Sequence, residues 1–372
     1  MPVSSFQLPA SSSQLPVSSP FPGFRSSAPR WHRRALAGAG LAGWLLGLLA
    51  SPASAQTFEV AGARAAGMGG AFVAVADDAS AVYWNPAGLA TGAFFSGVID
   101  YNSAKANREG DPQAGSQSAT LLGLGMPALG LTYYRLRATT VESLAVPAGQ
   151  LEAPRTLDGA DVARVSSLIS HHFGVTLVQS LTDSIAIGTT LKAVRGVAAT
   201  ALVAVRDRDD LLDDADDLVG SGSTEFDADI GAIAVIGTVR AGLTVRNVRE
   251  PDFDAPGETE SLKLHRQVRA GVAMTPSAGI LVSADLDLRS VPGTTGLVRN
   301  FAAGAEAHVL GRALVRGGFR LNTRGDQPGG RAPVGTLGGS YAIVSSVFLD
   351  GQATFGSDQA DRGWGVGARV VF

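Results

Sequence analysis

Fourteen segments of alternating apolar and polar residues can be drawn after Ala93, and the gaps between them run long, short, long, short without a break. The segments are 93–102, 117–126, 128–140, 163–180, 184–198, 225–236, 239–249, 263–275, 279–290, 298–309, 312–322, 334–343, 346–356 and 363–372. The odd gaps hold 14, 22, 26, 13, 7, 11 and 6 residues, whereas the even gaps hold one to three. A side-chain period of two is that of a β-strand. Strict alternation of gap length is what an antiparallel meander produces when its strand number is even and both chain ends lie on the short-turn side. The expected fold is all-β: an antiparallel transmembrane β-barrel of about 14 strands.

Faces and composition extend this reading. In 279–290, Ile280, Val282, Ala284, Leu286 and Leu288 share one face, while Ser283, Asp285, Asp287 and Arg289 share the other. Phe301, Ala303, Ala305, Ala307 and Val309 likewise oppose Glu306 and His308, and Ala313, Val315, Phe319 and Leu321 oppose Arg316 and Arg320. The chain is 45% apolar and only 17% charged, yet no stretch after Gln56 has the length and purity of a membrane helix. A closed barrel is the remaining way to satisfy every backbone group in lipid. Its apolar face meets lipid and its charged face lines the lumen; a secreted β-sandwich predicts the reverse, and local alternation does not separate the two. The absence of cysteine excludes disulfides, thiolate metal sites and a cysteine nucleophile.

Both ends of the chain speak to compartment. A Ser/Pro-rich stretch leads to Trp31-His32-Arg33-Arg34, an apolar run from Ala35 to Ala50, and Ala53-Ser54-Ala55, which reads as a disordered extension and secretory signal peptide over 1–55, cut before Gln56. That segment holds four arginines and no acid, so its removal takes the formal charge from −3 to −7 and leaves no electrostatic case for nucleic acid. At the other end, Trp364, Val366, Ala368, Val370 and Phe372 alternate to the last residue. A terminal aromatic strand resembles the signal read by the outer-membrane barrel assembly machinery, so Phe372 is the expected contact.

Residues 56–92 precede the barrel, expected at 93–372, and contain Gly67-Met-Gly69-Gly70-Ala-Phe-Val-Ala-Val-Ala-Asp77-Asp78-Ala-Ser-Ala-Val-Tyr-Trp84-Asn85-Pro86-Ala87-Gly-Leu-Ala90. The glycines do not form a dinucleotide loop, because Phe72 occupies the third glycine position and no βαβ unit follows. Asp78 or Asp77 is expected to cap a short helix through Tyr83-Trp84, which Asn85-Pro86 ends, since the residue before proline is driven out of the α region. The run resembles the N-terminal segment of the FadL-like outer-membrane transport proteins, including the PorV and conjugal-transfer TraF-like branches. Ser170-His171-His172-Phe173-Gly174-Val175-Thr176 to Ser180-Leu181-Thr182-Asp183 resembles a hairpin of the PorV/TraF-like branch. The resemblance implies a plug, or hatch, inside a fourteen-stranded barrel of the cell outer membrane, and passive uptake of a hydrophobic small molecule such as a long-chain fatty acid. Asn85, Pro86 and the glycines at 67–70 would then set plug geometry.

The remaining features offer no chemistry. His171 and His172 point to opposite faces of a strand and do not chelate one ion. Asp207 to Asp217 carries seven aspartates but lacks the EF-hand glycine and terminal glutamate; a solvated extracellular loop is expected, with divalent cations or lipopolysaccharide as its conceivable partners. Lumenal candidates are Asp227, Asp229, Arg240, Arg246, Arg269, Asp285, Asp287, Arg289, Glu306, His308, Arg316, Arg320, Asp350 and Arg369, whose mixed signs permit cross-strand pairs. No catalytic motif, metal site or cofactor is indicated. The second reading is a non-transporting barrel that serves as a secretion or envelope-assembly adaptor with a protein partner. An apolar cavity reaching the plug speaks for transport, and a lumen closed by ion pairs for the adaptor. Tryptophan and tyrosine are too few for two interfacial girdles, so either phenylalanine and leucine supply the belts or one interface is weakly anchored.

Overall fold

A computed structural model describes residues 61–107, 114–144, 162–204, 212, 218, 220–255, 261–293, 296–324, 333–356 and 362–372. The N-terminal segment 1–55 and all of Asp207–Asp217 but Leu212 lie outside them. The strands in chain order are β1 Ser96–Asn107, β2 Ala114–Met126, β3 Leu129–Leu144, β4 Val162–Thr182, β5 Ile185–Ala204, β6 Ser221–Ile236, β7 Val239–Arg246, β8 Asp252–Phe253, β9 Leu262–Lys263, β10 Gln267–Ser277, β11 Ile280–Asp287, β12 Val291–Gly293, β13 Gly296–Val298, β14 Asn300–Leu310, β15 Ala313–Asn322, β16 Val334–Val344, β17 Val347–Phe355 and β18 Arg362–Val371.

Fourteen of these close into one antiparallel barrel, with β1 pairing to both β2 and β18; β8–β9 and β12–β13 are small hairpins outside the ring. Each barrel strand falls on one segment read from the sequence, displaced mainly at the long-loop end, where β3 to β6 extend further. The short turns number two residues each. Gly237 and Gly279 sit in two of them at φ 61° and 79°, a left-handed conformation that two-residue hairpins demand and glycine adopts without strain.

The period-two pattern sorts as lipid outside and charge inside. On β11, Leu286 is 41% exposed, whereas Asp285 and Asp287 are 2% and 7% exposed. Aromatic side chains pair across the outer wall. Tyr101 stacks near Trp364 and Tyr133 near Phe173 on the outer wall, while Phe95 and Phe372 meet at the short-turn end. Phe301 and Phe319 pair further round.

Residues 61–92 lie inside the ring as a plug in its short-turn half. They form α1 Ala63–Gly67, α2 Ala81–Trp84 and a 3-10 helix Pro86–Thr91, joined by turns. Small side chains dominate, and Met68, Phe72, Tyr83 and Trp84 are fully buried. Helices this short do not persist alone in water, so the wall holds them.

Candidate functional site

The first half of the plug is held by charge. Arg64 at the start of α1 forms a two-pronged pair with Glu306 of β14, at 3.1 and 3.0 Å, and its other terminal nitrogen reaches Asp77 at 2.7 Å and Asp78 at 2.9 Å. Asp77 also faces Arg240 of β7 at 3.4 Å, and Asp78 faces Arg369 of β18 at 3.7 Å. Burial alone would push the Asp78 carboxyl up, but the charges of Arg64 and Arg369 and the hydrogen bonds of Ser80 outweigh it and hold it below its ordinary value. The plug backbone is anchored as well. Ala63 N–H donates to Asp100, and the N–H groups of Phe72 and Val73 both donate to one oxygen of Asp285, at 2.8 and 2.9 Å. The carbonyls of Gly67, Gly70 and Ala71 accept from Thr336, Arg269 and Ser283.

The second half is held by shape. Ser80, not an aspartate, is the N-cap of α2. Asp78 acts one step earlier, accepting from Ser80 N–H and hydroxyl, because its other oxygen is committed to Arg64. Asn85, extended before Pro86, ends α2 and starts the 3-10 helix by accepting from Ala87 N–H at 3.2 Å. Its amide donates to Val73 within the plug at 2.9 Å and to the Ala232 carbonyl of β6 at 3.1 Å. Trp84 donates to the Ala61 carbonyl and packs edge-on against Phe72 and Tyr83.

Inward-facing glycines make room for this half, a feature that the sequence reading missed. A methyl group at Gly231 would lie 2.1 Å from the Asn85 side-chain oxygen, and one at Gly188 would lie 2.5 Å from the Pro86 backbone. The wall glycines 304 and 318 admit Met68 equally closely. Gly69, at φ 70°, sits so near Phe319 that a side chain would strike its backbone at 2.8 Å. Glycine at these inward positions is the readable signal.

Around the plug, the wall charges also pair with neighbours on the ring. Arg269 of β10 bonds Asp287 of β11 at 2.6 Å, and Arg316 of β15 bridges Glu306 of β14 and Asp350 of β17, the latter at 3.1 Å. Arg369 reaches Asp350 at 3.3 Å, and Arg320 is buried on the same face. The pair Asp227 and Asp229 on β6 closes on Lys192 of β5, at 3.1 and 2.7 Å, a residue absent from the sequence candidates. Lys192 also meets Tyr134, which stacks on buried His172, while His171 faces outward to Tyr133. Arg246 lies over the Tyr83 ring at 3.7 Å, joining this cluster to the plug. Two candidates lie apart: His308 is exposed at the short-turn rim, and Arg289 pairs at 3.6 Å with Glu250 in the long-loop half.

The connection from β7 to β10 folds inward as a strap. Asn247 and Arg249 N–H groups donate to Asp229 and Asp227, and Asn247 accepts from Lys192. Asn247 and Glu250 take φ of 54° and 55°, unusual for residues with side chains, to make the turn. Phe253 then packs with Leu262 and Leu264 on the inward Leu168, Val194 and Ala198, over the bare face of Gly196. Leu212, from within the acidic run, is buried on Val141 and Val165. Among the described residues no cluster of His, Asp and Glu has metal-binding geometry.

Solved structures with the same architecture are channels. The CymD monoaromatic hydrocarbon channel superposes with a TM-score of 0.57 at 13% identity, over 86% of this chain and 99% of that one. The Ralstonia pickettii toluene transporter TbuX gives 0.54 at 15%, over 85% and 99%. A Pseudomonas aeruginosa FadL homologue gives 0.53 at 11%, over 87% and 99%. No curated protein matches the sequence. The family model described as F plasmid transfer operon, TraF, protein matches residues 132–287, which run from β3 to β11 and include Lys192, Asp227, Asp229 and the strap. The chain thus has the fourteen-stranded barrel fold of the FadL-family hydrocarbon transporters and, across those residues, resembles TraF.

Proposed function

We propose that this protein is an outer-membrane channel for passive uptake of hydrophobic small molecules, gated by displacement of the plug. One observation carries the proposal: the wall ion pairs join strands next or nearly next to one another around the ring, and what crosses the lumen is the plug. Arg269–Asp287, Arg316–Glu306, Arg369–Asp350 and Lys192–Asp227 lie along the wall and leave the short-turn half of the bore to residues 61–92. Moving the plug therefore clears that half while these pairs stay in place, and the strap is the second obstruction that a solute must pass. The short-turn end is then periplasmic, and a solute enters past the strap, whose apolar residues face the lumen. The adaptor reading draws support from the TraF match and from the ion pairs that seat the plug; it requires the plug to remain fixed.

The chain has no cysteine, so a tether separates the two. A side chain at Gly123 would place its Cβ 3.4 Å from that of Ala79 in the plug, close to disulfide spacing. The expected outcome for the pair Ala79→Cys with Gly123→Cys is loss of toluene uptake into proteoliposomes when oxidised and recovery on reduction. Equal uptake in both states would remove the plug as the gate, and no uptake by the untethered protein would favour the adaptor.

A further inference from the structure

On the outer wall, one cross-strand row carries two arginines with a histidine between them. Arg135 of β3 pairs in register with His171 of β4, and His171 with Arg195 of β5; Thr120 and Thr224 flank the row on β2 and β6. All of these positions share the outward face with Leu131, Phe173 and Leu191 below them. Among the described residues neither Arg135 nor Arg195 has an acidic partner. His171 lies eleven residues along β4 from Thr182 at the short-turn end. At a rise of ~3.3 Å and a tilt near 40°, this is about 28 Å up the barrel axis, at the upper edge of an apolar band ~25 Å tall. Outward residues below the row are apolar, among them Leu131, Phe173, Val175 and Leu191, whereas the next above it on β2 and β3 are Ser118 and Arg137, so the row marks the upper limit of the apolar face on these strands, where lipid-facing charge costs little.

Directly beneath it, the wall is dented. A groove of about 620 Å³ runs from Gly97 and Val370 up to Tyr133 and Phe173, between Ile99 and Val175. It exists because Gly97 and Ala368 put almost nothing outward between larger neighbours. Its top is joined to the row through the Tyr133 hydroxyl, which lies 3.0 Å from His171 Nδ1.

We propose that this face is a binding site for a phosphorylated glycolipid of the outer leaflet, with phosphate on Arg135, His171 and Arg195 and an acyl chain in the groove. Charge complementarity selects the head: two unpaired guanidiniums and an imidazole in one row suit a phosphate, which forks favourably onto arginine. Depth selects the lipid, because the cations face the outer leaflet and the groove descends from them into hydrocarbon. The proposal needs the outer-membrane placement but not the transport reading.

Native mass spectrometry of the detergent-solubilised full-length protein with bisphosphorylated lipid A tests it. One lipid A is expected to be retained per chain. The variant Arg135→Gln/His171→Gln/Arg195→Gln is expected to bind about twenty-five-fold more weakly, at roughly a factor of five for each guanidinium lost. Gly97→Leu is expected to weaken binding separately by filling the groove, since its Cβ would make only ordinary contact with Leu124 at 3.5 Å. Heat-modifiable gel migration checks that each variant is folded. Unchanged affinity in the triple variant would overturn the site. So would phosphatidylglycerol binding as tightly as lipid A, or displacement of lipid A by toluene, which would give the groove to the transported solute.

Discussion

The barrel is obstructed at two levels, and the two obstructions are held differently. The plug spreads its hold around the wall: Asp100 on β1, Asp285 on β11, Glu306 on β14 and Thr336 on β16 each take one part of it, and glycines on β5 and β6 receive the rest. The strap concentrates its buried polar hold on one cluster, because Asn247 and Arg249 bond the two aspartates that Lys192 neutralises, while Glu250 adds a more exposed tie to Arg289. A distributed hold loses only part of its strength with any one residue. A concentrated hold fails when one residue is lost.

The sharpest way to break this comparison is Lys192→Ala. It leaves Asp227 and Asp229 buried without their lysine, and removing one partner from a buried pair costs about 3–5 kcal/mol. The expected result is a lower temperature for conversion of the compact gel form to the unfolded one, together with new tryptic cleavage at Arg249 and Arg266 in the strap. Plug-dependent uptake should survive in the folded fraction. Adding Asp227→Asn and Asp229→Asn should restore much of the stability, since no charge is then stranded. Full tryptic protection in the single variant would show that Phe253 packing, not the lysine, fixes the strap.

Strands and faces were legible in the sequence because each rests on a local rule, whereas the plug was expected from the resemblance carried by residues 67–90. Period two places Asp285 inside and Leu286 outside without knowledge of any partner, and the proline after Asn85 ends α2 from its own position. Arg64 and Lys192 were not legible as anchors. Arg64 meets Glu306 across 242 residues of chain, a match set by barrel closure and stagger rather than by spacing. Lys192 occupies an inward position between Thr190 and Val194, so its side was readable, but its two aspartates lie on the next strand in a register fixed only once the sheet forms. The strap was hidden because its inward fold depends on left-handed Asn247 and Glu250, which no pattern marks.

Asn85→Ala gives a smaller effect and sharpens the distributed side of the comparison. It strips hydrogen bonds from the Val73 and Ala232 carbonyls and from Ala87 N–H, at about 1–3 kcal/mol for buried groups left unmade. The barrel should keep its heat-modifiable migration, because the wall strands are untouched. Uptake of toluene should fall, since the 3-10 helix is no longer referenced to β6. Normal uptake by a correctly inserted variant would remove Asn85 from plug geometry.

Acid and salt give the smallest effects and tell the two holds apart. Asp78 in the plug is held below its ordinary value of 3.8, so its contribution is complete above that value and is lost as pH falls through the lowered one. Glu250 in the strap is likewise held below 4.5: desolvation is outweighed by the Arg266 backbone hydrogen bond and the charges of Arg289 and Arg266. The two differ in exposure, because the Arg64–Asp78 pair is buried while Glu250 faces half-exposed arginines at 3.6 Å. Salt at neutral pH should therefore raise tryptic cleavage of the strap and leave the plug unchanged, since screening acts on exposed pairs and scarcely on buried ones. In a Trp31→Phe/Trp44→Phe/Trp364→Phe background, Trp84 fluorescence should be insensitive to salt and shift to the red only as pH falls below the ordinary carboxylate range. A salt-dependent Trp84 signal would mean that water reaches Arg64 in the resting plug, and the ion pairs would then be a wet path beside the plug rather than its seat.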